Sequence, residues 1–161
     1  MRRENLSDLV QALKEPTRAF VRDARIRTAL LIDGSGQLLA QHGFSRGYEV
    51  ANVASLTAAA HASARALADM TGAGRWTYLH HVGEERELFL APFSTPTEEL
   101  IFVAIFDGDS SLGLVLLYFD DFARRVSALP QFRTAGPSGT AETFEHDLEA
   151  GLKHIMPPDW L

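Results

Sequence analysis

Few residues in this chain have the types and spacing that chemistry demands. His80 and His81 are adjacent, but on a strand neighbouring side chains point to opposite faces, so the pair is poorly placed to share a metal. Asp107-Gly108-Asp109-Ser110 follows an apolar run, as the aspartates of a phosphatase do. That chemistry needs a lysine and further carboxylates far downstream, and only about fifty residues remain. A calcium loop starting at Asp107 would want glutamate at its twelfth position, where Tyr118 stands. The expected role of this segment is a polar turn that caps the following helix. Asp33-Gly34-Ser35-Gly36 is glycine-rich but lacks the Lys-Ser or Lys-Thr of a phosphate loop, and the chain has only two lysines, Lys14 and Lys153. Arg46, in the loop 43–47, could reach into a partner's site, although an exposed loop arginine more often serves solubility. Cysteine is absent, which excludes a disulfide scaffold, a thiolate zinc site and a cysteine nucleophile. No serine elbow, metalloprotease motif or dinucleotide fingerprint occurs. The expectation is a protein that works through surfaces, with no cofactor, no metal and no catalytic residues of its own.

The elements that would carry those surfaces can be read from periodicity. Residues 4–24 have a helical pattern on Leu6, Leu9, Val10 and Leu13, with Pro16 expected to kink or restart it. Residues 28–33 and 37–42 flank the glycine-rich turn and predict a hairpin. Residues 49–70 form the longest helical pattern. Val53, Leu56, Ala60, Leu67 and Met70 fall on one side, taken as the core-facing one. The other side is unusually poor in charge for a solvent face. It carries Ala54, Ser55, Ala58, Ala59, Ala62 and Ala66, with His61, Arg65 and Asp69, and small residues there admit close approach by a partner. Three strands are expected at 75–82, 86–94 and 98–107, joined by short antiparallel connections. Leu88 and Leu90 alternate with Phe89 and Ala91, so both sheet faces are expected to be covered there. Residues 110–129 fit a helix or a strand by pattern alone. Residues 130–140 read as a linker, and 141–155 as a short acidic amphipathic helix with Phe144, Leu148, Leu152 and Ile155 on one stripe.

The chain has 161 residues and is 46% hydrophobic, which suits one folded domain. It carries 15 basic and 21 acidic side chains, a net charge of −6 that disfavours a general nucleic-acid binder. The charge is uneven. Residues 1–27 hold seven basic and four acidic groups, and the acidic excess lies in the remainder. The longest apolar runs are far short of the roughly 20 residues that span a bilayer. The N-terminus lacks a signal-peptide pattern. A cytoplasmic protein without membrane insertion is expected.

Three segments together resemble a known family. They are residues 29–39 (ALLIDGSGQLL), 53–58 (VASLTA) and 105–115 (IFDGDSSLGLV). In this order they are similar to the roadblock family (dynein light-chain type), and within it to the bacterial MglB-like regulators. The resemblance spans about residues 5–127. It implies an α+β fold, with a five-stranded antiparallel sheet that has the long helix on one face and the terminal helices on the other. It also implies that 110–129 is helical and that 1–129 is the roadblock domain, followed by the linker and C-terminal helix of 130–161. By the same resemblance the chain is a homodimer. Its long-helix face would bind a small Ras-like GTPase of the MglA type, linked to cell polarity, and stimulate hydrolysis by reshaping the GTPase's own active site. The alternative is a non-activating roadblock scaffold for a GTPase or a kinase complex.

Overall fold

A computed structural model describes residues 3–44 and 46–133. Helix α1 (Arg3–Asp23) leads into a hairpin of β1 (Thr28–Asp33) and β2 (Leu38–His42). Helix α2 (Gly47–Thr71) follows, then β3 (Leu79–Val82), β4 (Glu87–Ser94), β5 (Glu99–Phe106) and helix α3 (Leu112–Ser127). A 3-10 turn, Pro130–Phe132, ends the described chain. The expected helix over 141–155 lies outside the described residues.

The strands form one antiparallel sheet in the order β2-β1-β5-β4-β3. The central strands read as nearly unbroken apolar runs because both faces are covered. One face carries Leu31, Phe89, Phe93, Phe102 and Phe106 against α1 and α3. Its centre is aromatic: Phe20 and Phe122 each lie 4.7 Å from Phe102 between ring centroids, Phe20 meeting it edge-on. The other face carries Leu30, Ile32, Leu90, Ile101 and Val103 against α2. The α+β roadblock layout is thus present.

Several local outcomes differ from the sequence expectation, each for a physical reason. Pro16 neither stops nor restarts α1, which runs through it. Its ring removes the donor to the carbonyl of Ala12. The next turn is reinforced by the buried Thr17, whose hydroxyl donates to the Leu13 carbonyl at 2.8 Å. Strand β3 starts at Leu79 instead of 75. Leu79 pairs with Leu90, so extending β3 backward would bring residue 77 opposite Pro92, which has no N–H to offer a ladder. Within 110–129 the chain is helical over Leu112–Ser127, as the resemblance implies, and the cap is Ser111, the residue after the Asp107–Ser110 turn expected to supply it. Its Oγ accepts the Leu114 N–H at 3.2 Å. Phe132 is almost fully buried in the core, so packing continues past residue 129.

The phase of α2 is the largest difference. Its sheet-facing side is Val50, Ala54, Thr57, His61 and Ala68, all buried. Leu56, Leu67 and Met70, expected to face the core, are 71%, 62% and 85% exposed. Small residues let the helix sit close to the sheet. Where the β1–β2 turn meets it, Gly36 has φ +88°, and a Cβ there would come within 3.3 Å of the Ala58 Cβ.

Candidate interface on the long helix

Helix α2 is fixed at both ends and along one side. Gly72 closes it in a left-handed conformation (φ 65°), its N–H bonded to the Ala68 carbonyl. The inner side lies over β1, β2 and β5. Glu99, at the start of β5, ties the C-terminal half down. His61 Nε2 lies 3.0 Å from Glu99 Oε1, Arg75 Nη2 is 3.7 Å from Oε2, and Arg65 Nη1 is 3.9 Å from Oε1. The His61 ring lies 5.4 Å from that of Trp76. The buried Nδ1 of His61 and Nε1 of Trp76 have no hydrogen-bond partner among the described residues.

The nine residues expected at the interface therefore divide. Ser55, Ala59, Ala62, Arg65, Ala66 and Asp69 are exposed, and Ala58 is half-buried beside Gly36. Ala54 and His61 turn inward and pack on the sheet. At 100° per residue they sit on the same side as Thr57 and Ala68, away from Ala62 and Ala66. Arg65 and Glu99 come together although 34 positions separate them.

Two different surfaces flank the buried side. The first is an open cleft of about 680 Å³ between Ala58, Ala62, Ala66 and Asp69 of α2 and the turns carrying Asp33, Ser35, Glu98 and Glu99. It is acidic. Asp33 Oδ1 is occupied locally, accepting from the N–H groups of Ser35 and Gln37 at 2.8 and 2.9 Å and from the Ser35 hydroxyl at 2.6 Å. Burial, and then the charge of Asp33, push the Glu98 carboxyl above its ordinary value. The second surface is the apolar stripe Leu56, Leu67 and Met70, joined at helical spacing by Ala60 and Ser63.

The residues that first suggested chemistry make contacts within the fold. Arg27 pairs with Asp107 and reaches Asp109 at 3.4 Å, tying the start of β1 to the end of β5. This contact holds the Asp107 carboxyl below its ordinary value, helped by the Asp109 N–H. The Ser110 hydroxyl donates to the Ala24 carbonyl at 2.5 Å. His80 meets Glu87 at 2.6 Å and stacks on Phe106, while His81 pairs with Leu88 on the opposite sheet face. Arg46 is exposed, immediately before α2. No cluster of metal-ligating side chains occurs among the described residues.

This order of elements, with a long helix alone on one sheet face among the described residues, coincides with a sequence match. The Roadblock/LC7 domain profile matches residues 12–106. The chain belongs to the Roadblock/LC7 family. Solved structures agree. MglB of Myxococcus xanthus is 25% identical with a TM-score of 0.66, over 73% of this chain and 86% of that one. The gliding protein MglB of Thermus thermophilus is 27% identical with a TM-score of 0.63, over 73% and 87%. An MglB with a tetrameric arrangement is 28% identical with a TM-score of 0.63, over 74% and 87%. No curated protein matches the sequence. Among the described residues of this roadblock chain no helix is long and apolar enough to cross a membrane.

The exposed stripe and Glu99 were missed by sequence reasoning. The stripe had a legible signal, because Ala54, Thr57 and Ala68 are small enough for close helix–sheet packing. Glu99 had none, since nothing in its local sequence links it to α2.

Proposed function

We propose that this roadblock chain forms a homodimer through α2 and acts as a GTPase-activating regulator of a small Ras-like GTPase of the MglA type. The observation that carries this reading is the exposure of Leu56, Leu67 and Met70 on a helix whose inner side is already packed on the sheet. Burying such side chains is worth about 1.5–3 kcal/mol each, and a second α2 offers a matching apolar stripe across a two-fold axis. The likeness to MglB structures at 25–28% identity supports the same reading.

The proposed division of labour follows from the two flanks. The apolar stripe pairs the copies. Ser55, Ala59, Ala62 and Ala66, with Arg65 and Asp69, form the platform for the GTPase; Ala58 sits at its edge. Ala54 and His61 support the platform from beneath. The regulator supplies no reacting group. It binds the hydrolysing conformation of the GTPase more tightly than the resting one. Each hundredfold acceleration requires about 2.7 kcal/mol of such preference.

The test is a GTP-hydrolysis assay with a small Ras-like GTPase of the MglA type from the same organism. Acceleration that Ala62→Arg abolishes, while the dimer and melting temperature persist, supports the proposal. Ala62 is preferred over Ala58 for this test because Ala58 also touches the β1–β2 turn. Binding without acceleration would show a scaffold instead, and an unaltered Ala62→Arg variant would remove the platform.

A further inference from the structure

We propose that residues 141–155 of this chain dock in the groove between α1 and β2. The groove is lined by Val10, Lys14, Thr17 and Arg18 of α1 and by Leu38 to His42 of β2, with a volume of about 410 Å³. β2 is an edge strand, so one row of its backbone groups is unpaired by the sheet. The floor is apolar at Val10 and Leu38, and the rim is cationic at Lys14 and Arg18. None of the described lining residues is acidic.

Charge selects the occupant. Residues 134–161 carry five carboxylates and one lysine. Four of the carboxylates, Glu142, Glu145, Asp147 and Glu149, fall within 141–155. At helical spacing they flank the apolar stripe Phe144, Leu148, Leu152 and Ile155. An acidic rim around an apolar stripe is the complement of a cationic rim around an apolar floor. Two larger clefts lie beside α2. One of about 680 Å³ sets Asp33, Asp69, Glu98 and Glu99 against Arg65 and His61, and one of about 550 Å³ sets Asp69 and Glu99 against Arg65, Arg75 and His61. Both present carboxylates to an acidic segment, whereas the α1–β2 groove presents none.

Chain path agrees. Phe132 is buried in the α1–α3 core and its turn packs against α1. The described chain therefore ends beside the helix that forms one wall of the groove. Residues 134–140 span up to about 23 Å when extended, enough to reach the groove on a helix about 30 Å long. Docked there, the segment lies on the sheet face opposite α2 and leaves that helix open.

The absence of native cysteine permits a clean test on the full chain. A nitroxide on Thr143→Cys is expected to broaden the amide signals of Lys14, Arg18, Gln41 and His42 and to spare those of α2. Lys14→Glu with Arg18→Glu should abolish the broadening, and adding Glu145→Lys with Glu149→Lys should restore it. High salt, which shortens the screening length from about 10 Å at 0.1 M to about 3 Å at 1 M, should weaken it in the otherwise unaltered chain, so the result does not depend on the reversed variants folding. Four outcomes would overturn the proposal. They are no broadening at the groove, broadening on α2 instead, broadening that neither charge reversal nor salt changes, and broadening that arises only between a nitroxide-bearing chain and a separate isotope-labelled copy.

Discussion

Asp107 follows β5 directly and closes, through Arg27, the seam between the first and last strands. Its carboxyl is held below the ordinary range, so its folded form binds a proton less readily than the unfolded chain does. The stabilisation is therefore complete above the unfolded aspartate value of about 3.9 and is lost as the pH falls through the lower folded value. Asp107→Asn should melt at a lower temperature than the parent at pH 7, and the two curves should converge as the pH falls below the ordinary aspartate range. Glu98 has the opposite sign. Its carboxyl is raised by burial and by Asp33, so ionising it opposes folding as the pH rises from the unfolded value of about 4.3 toward the higher folded one. Glu98→Gln should melt higher than the parent at pH 7 and equally below pH 4, as measured by calorimetry. The Asp-x-Asp pattern was legible as a turn. Its partner Arg27, 80 positions away, was not, because an exposed arginine gives no local sign of what it will meet.

At the scale of elements, α3 shows how a local rule and a tertiary one combine. Val115, Phe119, Phe122 and Val126 are its buried side, and their spacing was visible in the sequence. That spacing alone left helix and strand open, because Leu112 to Phe119 is also dense in apolar residues. The Ser111 cap resolves the choice locally by satisfying the Leu114 N–H. Ser111→Ala should cost about 1 kcal/mol in chemical denaturation without changing the fold. Helix α2 had no such internal arbiter. Ranking its residues by size put Leu56, Leu67 and Met70 inward, whereas the sheet accepts a helix only at close range and selects Ala54, Thr57, His61 and Ala68. β3 likewise stopped short of its apolar pattern because the strand beside it carries Pro92.

The whole molecule has two unlike sides. α1 and α3 close one sheet face over an aromatic core, and among the described residues α2 stands alone on the other with its largest side chains outward. If those side chains pair two copies, Leu56→Asp with Leu67→Asp should convert a dimer to a monomer in sedimentation. The thermal unfolding of each copy should stay cooperative, because neither residue contributes to the inner packing. A variant that remains dimeric would place the two-fold contact elsewhere on the surface.

Alternation, helical spacing, turn glycines and the three family-like segments were enough to establish the order of elements, the α+β layout and the roadblock kinship. Each of these depends on neighbours within a turn or a hairpin, so each is written locally. The sequence alone also excluded cysteine chemistry and disfavoured nucleic acid through composition and charge. Only the tertiary structure decided which side of α2 meets the sheet, that Glu99 gathers His61, Arg65 and Arg75, and that Arg27 and Asp107 close the sheet. The reason is common to all three. Helix phase and long-range ion pairs are set by the shape and charge of a surface built from distant residues, and that surface exists only once the chain has folded.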